Sequence, residues 1–108
     1  MKKLIQQFIE ATNAFDVDTA LALFADDAVI DDVSVGEKFS NTAGIRTYLE
    51  KFFAGYHTVS KLESVDVLDD RHVMARLDFT GDFGHETGVL NVTTNASGLI
   101  VAVDAYLD

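Results

Sequence analysis

The chain contains no cysteine and no proline. The first absence excludes disulfides, thiolate nucleophiles and thiolate metal sites. The second leaves glycine, asparagine and aspartate to make the turns. Basic residues are scarce, eight Lys and Arg against eighteen Asp and Glu, for a formal charge of −10. Such a chain repels phosphate, which argues against nucleic acids and anionic membranes as partners. Long apolar runs are missing too, so no segment is expected to span a bilayer. After Lys2 and Lys3, the polar Gln6, Gln7 and Glu10 break up the N-terminal segment. No signal-peptide core is read there, and the chain is expected to be cytoplasmic. Internal repeats, glycine-rich phosphate loops, nucleophile elbows and basic–aromatic stripes are absent. His57, His72 and His85 lack the spacing of metal ligands. No metal and no cofactor is implied.

What is present is a 108-residue chain with 48% hydrophobic residues. That length suits one domain, residues 1–108, with one core. Helical periodicity comes first. Leu4, Ile5, Phe8, Ile9 and Thr12 share one face of a helix over residues 3–14. A second helix is predicted over 17–25, with Asp16 as N-cap and Val17, Ala20, Leu21 and Phe24 inward. A third covers 43–54, with Ile45, Tyr48, Leu49, Phe52 and Phe53 inward and Gly55 after its end.

Strand patterns fill the remainder. Val29–Ser34 precedes a turn at Gly36 and a short return strand, Glu37–Phe39. Residues 58–68 change apolar phase between Leu62 and Val65, the mark of a bulge. Residues 72–83 alternate, with Val73, Ala75, Leu77 and Phe79 on one face. Gly84-His85 is read as a hairpin loop, and Asn95–Gly98 joins strands 86–94 and 99–107. Helices followed by consecutive hairpins indicate an α+β domain with a curved antiparallel sheet wrapped on three N-terminal helices.

This order, with Asp18…Ala20-Leu21…Leu23-Phe24-Ala25-Asp26-Asp27-Ala28-Val29 at its centre, resembles the NTF2-like superfamily in its SnoaL-like and ketosteroid-isomerase-like branch. The Gly44-Ile45…Tyr48-Leu49 helix and the closing strand from Asn95 to Asp108 support the likeness. It implies a cone in which sheet and helices enclose a pocket open at one end. Such cones serve isomerases, cyclases, hydrolases, dehydratases and plain binding domains, so fold alone does not fix function.

The resemblance puts a general base at Asp32, where a carboxylate among apolar residues can take a proton alpha to a carbonyl. Strand alternation lets only one of Asp31 and Asp32 face inward. The other isomerase groups are replaced. The oxyanion-donating tyrosine falls at Phe8, its supporting tyrosines at Phe24 and Leu49, and the protonated acid near Leu90 or Asn91. Val33 stands where a proline is usual. Arg76-Leu77-Asp78 looks like part of the Asp-Arg-Asp set of epoxide hydrolases, but the second aspartate falls at Ala105. Alternation turns Arg76 and Asp78 outward, as a surface ion pair.

Phe8, Thr12, Phe24, Tyr48, Phe52, Tyr56, Leu90, Val103, Ala105 and Leu107 are expected to line the pocket, whose ligand is then an apolar small molecule. The opposite sheet face, with Met74, Arg76, Thr80, Asn91, Thr93, Ile100, Ala102 and Tyr106, is apolar enough to predict a homodimer. The leading expectation is an isomerase or cyclase working by proton transfer on a hydrophobic carbonyl compound. The alternatives are a non-catalytic binding module and an association domain with a filled interior.

Overall fold

The computed structural model describes residues 1–108. Helix α1, Lys2–Asn13, buries Ile5, Phe8, Ala11 and Thr12, the stripe expected from its periodicity. Asp16 caps α2, Val17–Leu21, by accepting a hydrogen bond from the Thr19 amide at 3.1 Å. This helix stops earlier than its apolar spacing predicts. Phe24 instead opens β1, Phe24–Asp32, opposite Ile100, and the Ile100 amide donates to the Leu23 carbonyl. Phe24 is buried all the same. An inward residue satisfies a helix and a strand pattern equally, and strand pairing decides between them here.

Strand β2, Glu37–Ser40, returns along β1. Helix α3, Asn41–Leu49, then runs straight into a π-helical turn, Glu50–Ala54. The wider turn is closed by the Gly55 amide on the Glu50 carbonyl at 2.7 Å. It brings the successive aromatics Phe52 and Phe53 both to the interior side, Phe53 buried and Phe52 half-buried.

A meander follows: β3 Val59–Val67, β4 His72–Gly81, β5 Gly84–Thr94 and β6 Ile100–Leu107. The β3 bulge lies where the phase change predicts it, between Leu62 and Ser64. The β4–β5 hairpin turns at Asp82-Phe83, two residues before the expected loop. Gly84, at φ +107°, takes the left-handed conformation that starts β5.

The six strands lie in the order β2-β1-β6-β5-β4-β3. The curved sheet is antiparallel at four of its five pairings, as expected, whereas β1 and β6 run parallel, which makes it mixed. The meander fixes the direction of β6, and β6 must cover the edge of β1 left open by β2. Helix α3 packs on β1 and α1 on β3, which places the core between helices and sheet. Ile100, expected on the outer face, belongs to that core. A register shift between Thr93 and Thr94 turns it inward.

Candidate functional site

Along β1, Ala28, Ile30 and Asp32 are buried at alternate positions. The strand's period of two therefore aims the Asp32 carboxylate inward and turns Asp31 away. Asp32 is 6% exposed. It borders a cavity of about 290 Å³ between the sheet and the α3 region. This volume is near the lower end of small-molecule sites, roughly 300–1,000 Å³.

Three donors converge on the carboxylate. The Tyr48 hydroxyl donates to Oδ2 at 2.6 Å. The Ser34 amide donates to Oδ1 at 2.9 Å, and the Ser34 hydroxyl donates to the same oxygen. A carboxylate offers about four acceptor positions, so roughly one remains for a ligand. Charge-assisted bonds of this kind offset the cost of taking the group out of water. The Tyr48 phenol is pushed well above its ordinary pKa of 10.0, first by burial and then by the charge and hydrogen bond of Asp32. Tyr48 is accordingly a neutral donor at physiological pH.

Tyr48, Phe52 and Tyr56 recur every fourth residue and form one wall. Ring centroids are 5.0 Å apart for Tyr48–Phe52 and 5.8 Å for Phe52–Tyr56, and Phe83 extends the row 6.3 Å beyond Tyr56. Phe79, Leu90 and Ala105 supply the sheet side. Val35, Phe83, Glu86 and Leu107 also border the cavity and are exposed, so they mark its open end.

The structure therefore gathers Asp32, Tyr48, Phe52, Tyr56, Leu90, Ala105 and Leu107 around one hollow. It leaves Phe8, Thr12, Phe24 and Val103 outside it. Phe8 packs edge-on against Phe24 and Phe53 at 6.1 and 5.8 Å, deep in the core. Phe8 and Val103 border a separate apolar void of about 10 Å³. Thr12 spends its hydroxyl on the Phe8 carbonyl of its own helix, 2.9 Å away.

Nine lining residues lie outside the expected set: Ser34, Val35, Phe53, Thr58, Phe79, Phe83, Glu86, Val89 and Tyr106, the last expected on the outer sheet face. Two had a signal. Ser34 stands two residues after an aspartate, the spacing of an Asx turn. Glu86 shares strand parity with Leu90.

The remaining polar candidates lie elsewhere. Arg76 pairs with Asp108 at 2.7 Å, not with Asp78, and Asp78 pairs with His85 at 2.7 Å. The expected Arg76–Asp78 pair is thus corrected: Arg76 reaches across β5 to Asp108 just past the end of β6, and Asp78 meets His85 on the adjacent β5. His57 sits 2.9 Å from Asp82 and His72 2.8 Å from Asp69, both exposed. No group of three or more His, Asp or Glu side chains is placed to hold a metal ion.

The SnoaL-like domain family matches residues 5–103. The chain belongs to that family. Solved structures agree on the architecture. SalBIII, an epoxide hydrolase/cyclase-like enzyme in pyran ring formation in polyether salinomycin, is similar with a TM-score of 0.87 and 18% identity, over 99% of this chain and 89% of that one. RV0760c from Mycobacterium tuberculosis, solved in complex with estradiol-17beta-hemisuccinate, gives 0.84 and 22%, over 97% and 91%. An NTF2-like protein from Cytophaga hutchinsonii gives 0.83 and 13%, over 99% and 88%. The fold of this SnoaL-like domain is therefore NTF2-like, and identities this low carry no further than the fold.

Proposed function

We propose that this SnoaL-like domain binds an apolar small molecule in the cavity and that Asp32 moves a proton within it, as an isomerase or cyclase of carbonyl compounds. One observation carries the reading: a buried carboxylate, oriented by Tyr48 and Ser34, sits on the wall of an otherwise largely apolar hollow. The chemistry balances without a cofactor. The bond from hydrogen to the carbon alpha to the carbonyl breaks, its proton passes to Asp32, and its electron pair moves to the carbonyl oxygen as an enolate. The neutral carboxyl then returns the proton to another carbon, or the enolate carbon closes a ring and the proton goes to the acceptor oxygen. Once Asp32 is protonated it accepts hydrogen bonds less strongly, which frees the Tyr48 phenol to donate to the enolate oxygen.

A second reading has its own support. The Ser34 bonds to Asp32 close the turn from β1 to β2, a structural task that a non-catalytic carrier needs equally. Titration with β-tetralone, an aromatic ketone, addresses both. Saturable binding is expected in the wild type and in Asp32→Asn, and its loss in Ala105→Phe, which fills the hollow. Enolisation of the bound ketone by the wild type and not by Asp32→Asn favours the enzyme. Equal behaviour of the two favours the carrier. Unchanged binding in a folded Ala105→Phe protein overturns the location of the site.

We further propose pairing of two copies through the outer sheet face, where Met74 and Ala102 are half-buried and Tyr106 is exposed.

A further inference from the structure

The charge around the cavity is one-sided. Asp32 and Glu86 border it, and no lysine, arginine or histidine does. Three basic side chains outside its wall are engaged by carboxylates of their own. Arg76 holds Asp108 at 2.7 Å, His85 holds Asp78 at 2.7 Å and His57 meets Asp82 at 2.9 Å. Lys51 lies over the Phe52 ring, 5.2 Å from its centroid, without being part of the cavity wall. Glu86 takes part in none of the molecule's ion pairs. At −10 the whole chain adds a field of the same sign.

The wall that starts at Tyr48, bonded to Asp32, is aromatic and runs to Phe83, which like Glu86 is exposed at the open end. Tyr48, Phe52, Tyr56 and Phe83 follow one another at centroid spacings of 5.0, 5.8 and 6.3 Å. Ring faces attract cations, and the attraction grows where water is excluded. An anion entering this hollow meets two carboxylates and no compensating donor of positive charge. A protonated amine on an apolar frame meets aromatic faces and an unpaired carboxylate at the entrance.

We infer that the site selects an apolar ligand carrying a protonated amine, with the ammonium lodged at the Glu86 end and the apolar frame directed toward Asp32. This deepens the proposed function and rests on it, since the same cavity must bind a small molecule at all.

The test uses one aromatic frame with three charges: naphthylethylammonium, naphthylethanol and naphthylacetate, titrated into the full chain at low salt. The ammonium is expected to bind about tenfold more tightly than the alcohol, which corresponds to about 1.4 kcal/mol, and the acetate most weakly. Raising the salt narrows the spread, because Glu86 is exposed to solvent. Glu86→Gln brings the ammonium toward the alcohol's affinity. An ammonium no tighter than the alcohol, an acetate as tight as the ammonium, or a preference untouched by Glu86→Gln overturns the inference and leaves the ligand-binding reading standing. If none of the three compounds binds, that underlying reading fails and takes the inference with it.

Discussion

Asp32 and Tyr48 are sixteen positions apart in sequence and 2.6 Å apart in space. The first was legible from its place on β1 and from the family resemblance. The second was legible as a pocket aromatic, but its bond to Asp32 was not, because helical and strand periods say which face a residue takes and not which partner it meets across a domain. The pair makes a sharp prediction. Tyr48→Phe keeps the ring and removes the donor, and a hydrogen bond to a charged group contributes about 1.5–3 kcal/mol. Urea denaturation is expected to register a loss of that order. Alkaline behaviour follows from the raised phenol pKa. The unfolded chain releases this proton near pH 10, whereas the fold retains it, so stability is intact below pH 10. It then falls by about 1.4 kcal/mol per pH unit until the folded pKa is reached. Tyr48→Phe is expected to remove that part of the slope. An alkaline denaturation profile identical to the wild type's contradicts the buried pairing.

Among the elements, the third helix departs furthest from ideal periodicity. Its inward stripe, Ile45, Tyr48, Leu49, Phe52 and Phe53, was readable, yet an ideal α-helix spreads adjacent residues such as Phe52 and Phe53 by about 100°. The π-helical turn from Glu50 to Ala54 reconciles them, and backbone irregularities of this kind leave no periodic trace in a sequence. Gly55 ends that turn in a tight spot. A β-carbon there would stand 2.7 Å from the Lys51 carbonyl oxygen and 2.8 Å from that of Glu50. Gly55→Ala is expected to destabilise the fold by about 1–3 kcal/mol, as overpacking does, and to disturb the adjacent Tyr56 wall. Chemical denaturation measures the first effect, and β-tetralone affinity the second. A neutral outcome in both tests would mean that the turn relaxes freely and does not position the wall. Beyond the shortened α2, the apolar period places Phe24 inward, and pairing with β6 sets its strand conformation.

For the whole molecule, the α+β class and the alternating faces followed from pattern, whereas the parallel β1–β6 pair did not. Pairing between the first and last strands is a long-range contact that no local period encodes. The quaternary proposal belongs to this scale. A standard interface takes about 800 Å² from each partner, a modest part of the 5705 Å² this chain exposes. Light scattering at micromolar concentration is expected to give twice the 11.8 kDa mass of one chain. Ala102→Glu, in the middle of the outer face, is expected to return it to a single chain. A wild-type mass of one chain rejects the pairing and leaves the cavity untouched.

The claim on which the account turns is that Asp32 takes a proton from carbon inside the cavity. Deuterium uptake at the alpha carbon of β-tetralone, followed by proton NMR in heavy water, tests it most directly. The account predicts acceleration by the wild-type protein over buffer, and a loss of that acceleration of roughly 10²–10⁴-fold in Asp32→Asn, with the ketone still bound. Exchange no faster than in buffer while the ketone occupies the cavity, or equal exchange by both proteins, contradicts it.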